Sequence, residues 1–175
     1  MGLSAKQIRQ GVDAVAAGEP AFARALGLAG YPEPRIRPTG YRTLLRTIVG
    51  QQVSVAAASS MWTKFEALLG EDLPVEAILA SNFDALPDDD EEAIARLTLI
   101  KGIGRWSAEI YLLFAEGRPD IWPAGDLAVQ AGVGRIMAMD ERPSEKQVRD
   151  LAEAWRPHRG AVAIFTWHCY NNAAL

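Results

Sequence analysis

Two glycines separated by one residue, Gly102 and Gly104, lie between two runs with helical character. Apolar residues recur at helical spacing from Asp88 to Leu99, and a second helical run begins at Arg105. Because glycine has no side chain, this turn can bring bare backbone N–H groups close to an anion. The spacing therefore predicts a phosphate-binding turn in preference to a plain connection.

A dinucleotide site does not fit the same glycines. No strand pattern precedes them, and Ser107 occupies the place of the third glycine of that fingerprint. A helix, a Gly-x-Gly turn and a second helix are typical of a helix-hairpin-helix motif, in which backbone amides bind a DNA phosphate.

Asp126 is the second candidate for chemistry. It follows Pro123-Ala124-Gly125 and precedes an apolar helical run, so the residues alone favour a helix N-cap. A single fixed carboxylate could also stabilise positive charge that develops on a substrate. Trp106 and Trp167 are, from the residues alone, either core side chains or aromatic faces for a ligand.

Composition predicts a single all-α domain. The 175 residues are 49% hydrophobic and rich in alanine, while strand-like alternation is scarce. The single cysteine, Cys169, excludes a disulfide framework, a four-cysteine zinc site and a four-cysteine iron–sulfur cluster, and we expect it to be a packed thiol. The N-terminus has no long apolar run, so we expect a cytoplasmic protein without a membrane segment.

The charge distribution is uneven along the chain. The net charge is −4, and an acidic block at residues 87–92 lies where a helix begins, which suits the helix dipole. Basic residues gather near the motifs, which favours a local DNA-binding face: Lys101, Arg105, Arg156, His158 and Arg159.

The helices that must position these residues can be delimited from caps and periodicity. Ser4 with Gln7 predicts a capping box for a helix to about Ala17. A proline-rich connector spans residues 31–40. We expect further helices at about 21–28, 41–51, 54–69, 74–80, 105–116, 126–138, 144–154 and 159–171.

Four segments occur in an order that resembles the helix-hairpin-helix DNA glycosylases, and within them the alkylbase branch of DNA-3-methyladenine glycosylase II. The segments are residues 48–54, residues 100–108, residues 122–130, and residues 155–159 together with Trp167. They extend over roughly residues 40–170.

The resemblance implies a fold and an activity. The fold would be one all-α helix-hairpin-helix glycosylase domain over residues 1–175, with N-terminal helices and the proline-rich connector in 1–39. Relative to the family pattern, we expect a segment to be missing near Asn82–Phe83. The activity would be monofunctional hydrolysis of the N-glycosidic bond of alkylated purines of the 3-methyladenine type. The partner would be double-stranded DNA with alkylated bases, bound by a monomer that requires no cofactor.

The resemblance also implies roles for single residues. Asp126 would be catalytic, while Trp106 and Trp167 would form the pocket for the flipped base. Trp106 stands where bifunctional relatives carry a lysine, so no Schiff base and no strand cleavage are expected.

Further implied contacts lie at the hairpin. The residues expected to bind DNA are Gln52, Lys101, Gly102, Ile103, Gly104 and Arg105. As bare residues, Gln52 could equally be a solvated turn glutamine, and Lys101 and Arg105 ordinary surface charges. Backbone carbonyls of Thr98, Ile100 and Ile103 would hold a structural Na⁺ or K⁺.

Two other functions remain open from the sequence. One is a non-catalytic or impaired helix-hairpin-helix DNA-binding domain derived from such a glycosylase. The other is a glycosylase for oxidised or mismatched bases, for which the lysine expected at the position of Trp106 is absent.

Overall fold

The computed structural model describes residues 2–50, 58–60, 62–63, 86–100 and 103–172. These residues contain helices and turns and no β-strand, which confirms the all-α prediction. The α-helices are α1 (Ala5–Gly18), α2 (Pro20–Ala29), α3 (Tyr41–Val49), α4 (Asp90–Thr98), α5 (Arg105–Tyr111), α6 (Leu127–Ile136), α7 (Glu145–Ala152) and α8 (Arg159–Tyr170).

Several predictions fall outside this part of the chain. They are the helix at 74–80, most of the helix at 54–69, the missing segment near Asn82–Phe83, and the positions of Gln52, Lys101 and Gly102.

Local side-chain caps begin the helices where the sequence predicts. Ser4 and Gln7 form the expected capping box of α1, and Ser144 forms another with Gln147 at α7. The acidic block caps α4, because the Asp89 carboxylate accepts the backbone N–H of Glu92 at 2.9 Å.

A large part of the core lies between α1, α2, α6 and α8. Phe22 of α2 packs edge-on against Trp155 with ring centroids 5.0 Å apart, and Trp155 packs in the same way against Trp122 at 5.2 Å. Cys169 of α8 is buried, as expected of a packed thiol, and burial raises its pKa to about 12.

The two glycines of α6 let this helix approach its neighbours closely. A Cβ at Gly132 would lie 2.6 Å from the methyl carbon of Thr166 and 2.7 Å from its carbonyl oxygen. A Cβ at Gly134 would lie 3.0 Å from Pro143. Glycine is unfavourable inside a helix by about 1 kcal/mol relative to alanine. Here it allows α6 and α8 to pack at a distance that alanine does not permit.

One predicted helix is interrupted. The run expected at 105–116 is α-helical to Tyr111 and continues as a π-helical turn, Leu112–Glu116. Phe114 of this turn packs against Trp167 of α8, with ring centroids 5.5 Å apart. A π-helical turn changes the direction in which side chains point, and such turns are frequent at functional sites.

Candidate active site

The carboxylate of Asp126 caps helix α6. Its Oδ1 accepts the backbone N–H groups of Ala128 at 2.9 Å and Val129 at 3.0 Å. The preceding loop is fixed by the side chain of Gln130, which donates to the carbonyl of Ala124 at 2.8 Å. The N-cap predicted from the sequence is confirmed, and it places the carboxylate at the positive end of a helix dipole.

Two tryptophans hold the same carboxylate. The indole N–H of Trp106 in α5 donates to Asp126 Oδ2 at 2.9 Å, and that of Trp167 in α8 donates to Oδ1 at 3.1 Å. The structure thus brings together the three residues that the sequence analysis assigned to catalysis and the base pocket, from α5, α8 and the start of α6.

The two oxygens of Asp126 are used unequally. Oδ1 accepts three N–H groups, whereas Oδ2 accepts one, from Trp106. An ionised carboxylate offers about two lone pairs on each oxygen. Oδ2 is therefore the oxygen with a free lone pair, which can accept a further hydrogen bond or face a positive charge.

Aromatic side chains line the neighbourhood of this carboxylate. Trp106 is half-buried, so part of its ring stays accessible, while Trp167 is buried. Phe114 extends the aromatic group and was missed by the sequence analysis. A signal existed, because Phe114 lies eight residues after Trp106, on the same face of a regular helix.

In the described part of the hairpin, Ile103 is buried and Gly104 is exposed to solvent. Ile103 is buried and donates its N–H to the carbonyl of Ile100 at 3.0 Å. Gly104 is exposed, and a Cβ placed there would meet no atom within 4 Å. Packing within the protein therefore does not require a glycine at position 104. Because Gly104 has no side chain, the start of α5 stays accessible.

The predicted cation ligands are backbone carbonyls of Thr98, Ile100 and Ile103. Neutral carbonyl oxygens suit an alkali cation, and the oxygen of Ile100 keeps a lone pair after accepting Ile103. The donor chemistry fits a monovalent ion, which stays a prediction. Among the described residues, no cluster of His, Cys, Asp or Glu could hold a metal.

The arginines near the motifs are paired with carboxylates. Arg105 binds Glu91 and donates to Glu109 at 2.9 Å, while Arg156 and Arg159 both bind Asp120, at 2.7 and 2.8 Å. The phosphate contact predicted for Arg105 stays a prediction, and it would have to compete with these partners.

Glu109 is the most deeply buried carboxyl of this network. Its side chain is 2% exposed and is paired with Arg105 and, at 3.5 Å, with Arg149. Its Oε2 has no hydrogen-bond partner among the described residues. Burial raises the pKa of Glu109 to about 7 against the opposing effect of the two arginines.

A shallow cleft of about 360 Å³ lies over this ion-pair network. Its lining consists of Glu91, Arg105, Trp122, Glu145, Arg149, Glu153, Arg156 and Arg159. Asp126, Trp106 and Trp167 are not part of it. The Asp126 cluster, which combines a fixed carboxylate with flat aromatic faces, is therefore the candidate active site in preference to this charged cleft.

The chain is similar to known DNA repair proteins. Residues 45–157 match the family described as HhH-GPD superfamily base excision DNA repair protein. DNA-3-methyladenine glycosylase 1 of Schizosaccharomyces pombe is 28% identical over 73% of this chain and 71% of its own. DNA-3-methyladenine glycosylase 2 of Escherichia coli is 26% identical over 82% of this chain and 64% of its own.

The fold is also found in solved structures. The 3-methyladenine DNA glycosylase Mag1 of S. pombe, in complex with abasic DNA, superimposes with a TM-score of 0.79 at 25% identity. The match covers 95% of this chain and 98% of Mag1. The fold predicted by resemblance is confirmed.

Proposed function

Since the chain belongs to the HhH-GPD superfamily of base excision DNA repair proteins, we propose that it is a monofunctional DNA glycosylase for alkylated purines. It would hydrolyse the N-glycosidic bond of bases of the 3-methyladenine type in duplex DNA. The relatives named above, which are 3-methyladenine glycosylases, support this substrate class.

The observation that carries the proposal is the Asp126 carboxylate held by two indole N–H groups. Cleavage of an N-glycosidic bond develops positive charge on the sugar, and a fixed anion beside the reacting carbon stabilises it. The helix cap and both tryptophans fix the carboxylate before the substrate arrives. Its Oδ2, which accepts one N–H, would face the sugar or the attacking water.

An alkylated purine suits a site with a single carboxylate. Such a base is cationic and a good leaving group, so the reaction does not need a separate general acid. The electron-rich faces of Trp106 and Trp167 would attract the cationic base by cation–π interaction. The site would therefore select its substrate by the charge of the base.

The same residues support hydrolysis without strand cleavage. A lyase needs an amine that attacks the sugar carbon, and Trp106 occupies the helix position beside Asp126. Of the described lysines, Lys6 is exposed near the N-terminus and Lys146 pairs with Asp150 in α7. Neither contacts Asp126 among the described contacts. A cation at the hairpin would supply positive charge for a DNA phosphate and takes no part in the bond cleavage.

A duplex oligonucleotide with one alkylated purine tests both parts of the proposal. We expect strand breaks only after alkali, which cleaves abasic sites, and no covalent adduct with borohydride. DNA binding without abasic sites would instead identify a non-catalytic binding domain. Breaks without alkali, or a trapped adduct, would show a lyase.

The protein is further expected to act as a monomer in the cytoplasm. Among the described residues, no helix is long and apolar enough to span a membrane.

A further inference from the structure

Three arginines lie outside the ion-pair network that surrounds Glu109 and Asp120. Arg35 and Arg37 belong to the proline-rich connector and Arg46 to α3, and all three are exposed. None of them is joined to a carboxylate by an ion pair or hydrogen bond among the described residues. We call these three residues the connector patch.

The connector is fixed to the wall of the active site. The backbone N–H of Arg37 donates to the carbonyl of Phe114 at 2.9 Å, and that of Gly40 donates to the hydroxyl of Tyr111 at 3.1 Å. The hydroxyl of Thr43 donates to the carbonyl of Pro38 at 2.6 Å. These bonds hold residues 37–40 beside the helical segment that carries Trp106.

A short series of contacts links the patch to the candidate catalytic residue. The Arg37 guanidinium lies 5.6 Å from the ring centroid of Phe114. The ring of Phe114 lies 5.5 Å from that of Trp167, which donates to Asp126. Two ring contacts therefore separate the Arg37 guanidinium from the residue that donates to Asp126.

Like charges are concentrated in the patch. Partial desolvation of its guanidinium, together with the charges of Arg46 and Arg35, lowers the pKa of Arg37. The chain as a whole carries a net charge of −4, so this positive surface is a local feature. Uncompensated like charges favour binding of a polyanion, which removes their repulsion.

We propose that Arg35, Arg37 and Arg46 bind backbone phosphates of duplex DNA beside the Asp126 site, as a second anchor in addition to the hairpin. The inference rests on the proposed function, because it takes DNA as the substrate. The patch contacts phosphates and reads no bases, so it strengthens binding to all sequences alike.

The test measures binding to a lesion-free DNA duplex by fluorescence anisotropy at a series of salt concentrations. The variant R35Q/R37Q/R46Q is compared with K6Q/R24Q/R142Q, which loses the same charge at exposed positions that make no ion pair among the described residues. Three lost phosphate contacts should reduce the slope of log K against log salt by about 2.7. We expect weaker binding at low salt in the patch variant only.

A second variant guards against a folding defect. R35Q/R46Q keeps the contact of Arg37 with Phe114, and its slope should fall by about 1.8. An unchanged slope in this variant, or an equal fall in the control variant, would overturn the inference while leaving the proposed function intact. Failure of the wild-type protein to bind duplex DNA would overturn both.

Discussion

Replacing Asp126 by asparagine separates the charge of this side chain from its role as a helix cap. Asparagine caps a helix about as well as aspartate, so its oxygen can still accept Ala128 and Val129. Its NH₂ group would replace Oδ2 and face the indole N–H of Trp106, so two donors would meet. One unsatisfied donor costs about 1–3 kcal/mol, so D126N should fold with moderately reduced stability.

The effect on catalysis should be larger than the effect on folding. Loss of one preorganised electrostatic partner in an active site typically lowers the rate by ~10²–10³. A full charge facing the sugar should account for at least that much. DNA affinity should hold or rise, because a negative charge near the phosphates is removed.

A matched control is available at another helix cap. Asp89 caps α4 through the N–H of Glu92, so D89N removes the same charge and keeps a cap. Single-turnover excision of an alkylated purine, with protein in excess, is measured beside a binding titration for both variants. D89N should excise within about twofold of wild type because its cap remains. A D126N rate close to that of wild type would refute the catalytic assignment and leave Asp126 as a helix cap alone.

Other predictions concern the neighbouring packing and charge. Burial raises the pKa of Glu109 to about 7 from its ordinary value of 4.5. The folded protein therefore holds this proton more tightly than the unfolded chain, and the free energy of unfolding falls as the pH rises from 4.5 through 7. Urea unfolding at pH 5 and pH 8 should show wild type losing on the order of 3 kcal/mol relative to E109Q, and parallel pH profiles would contradict this. G132A should be destabilised by about 1–3 kcal/mol because its Cβ would lie 2.7 Å from a carbonyl oxygen of α8, whereas G18A, with nothing within 4 Å, should not be; equal melting temperatures would show that α6 can shift freely. W106F keeps an aromatic face but loses the N–H that orients Asp126 Oδ2, so excision should fall about ten- to a hundredfold with DNA affinity unchanged, and an undiminished rate would remove this donor from the mechanism.

Local signals made much of the fold predictable from the sequence. Ser4 with Gln7, and Asp126 before its apolar run, are caps whose partners lie within three residues. Their geometry depends on the nearby chain and therefore follows from residue type and spacing. The resemblance to a family identified Asp126, Trp106 and Trp167 as a set, which the structure brings together.

What the sequence missed depends on tertiary packing. The need for glycine at position 132 has no local signal, because the α8 backbone that it must accommodate lies more than thirty residues later in the chain. Arg105 pairs with Glu91, which lies 14 residues earlier in the chain, and local spacing does not predict such a pair. The connector arginines have no local signal for the same reason, since only the packing of Arg37 against Phe114 joins the connector to this part of the fold.

The most direct test of the central claim is the product released from methylated duplex DNA. The wild-type protein should release free 3-methyladenine, identified by mass spectrometry, and leave one abasic site for each base released. DNA that is bound but yields no free base would contradict the claim that the carboxylate held by Trp106 and Trp167 cleaves the glycosidic bond.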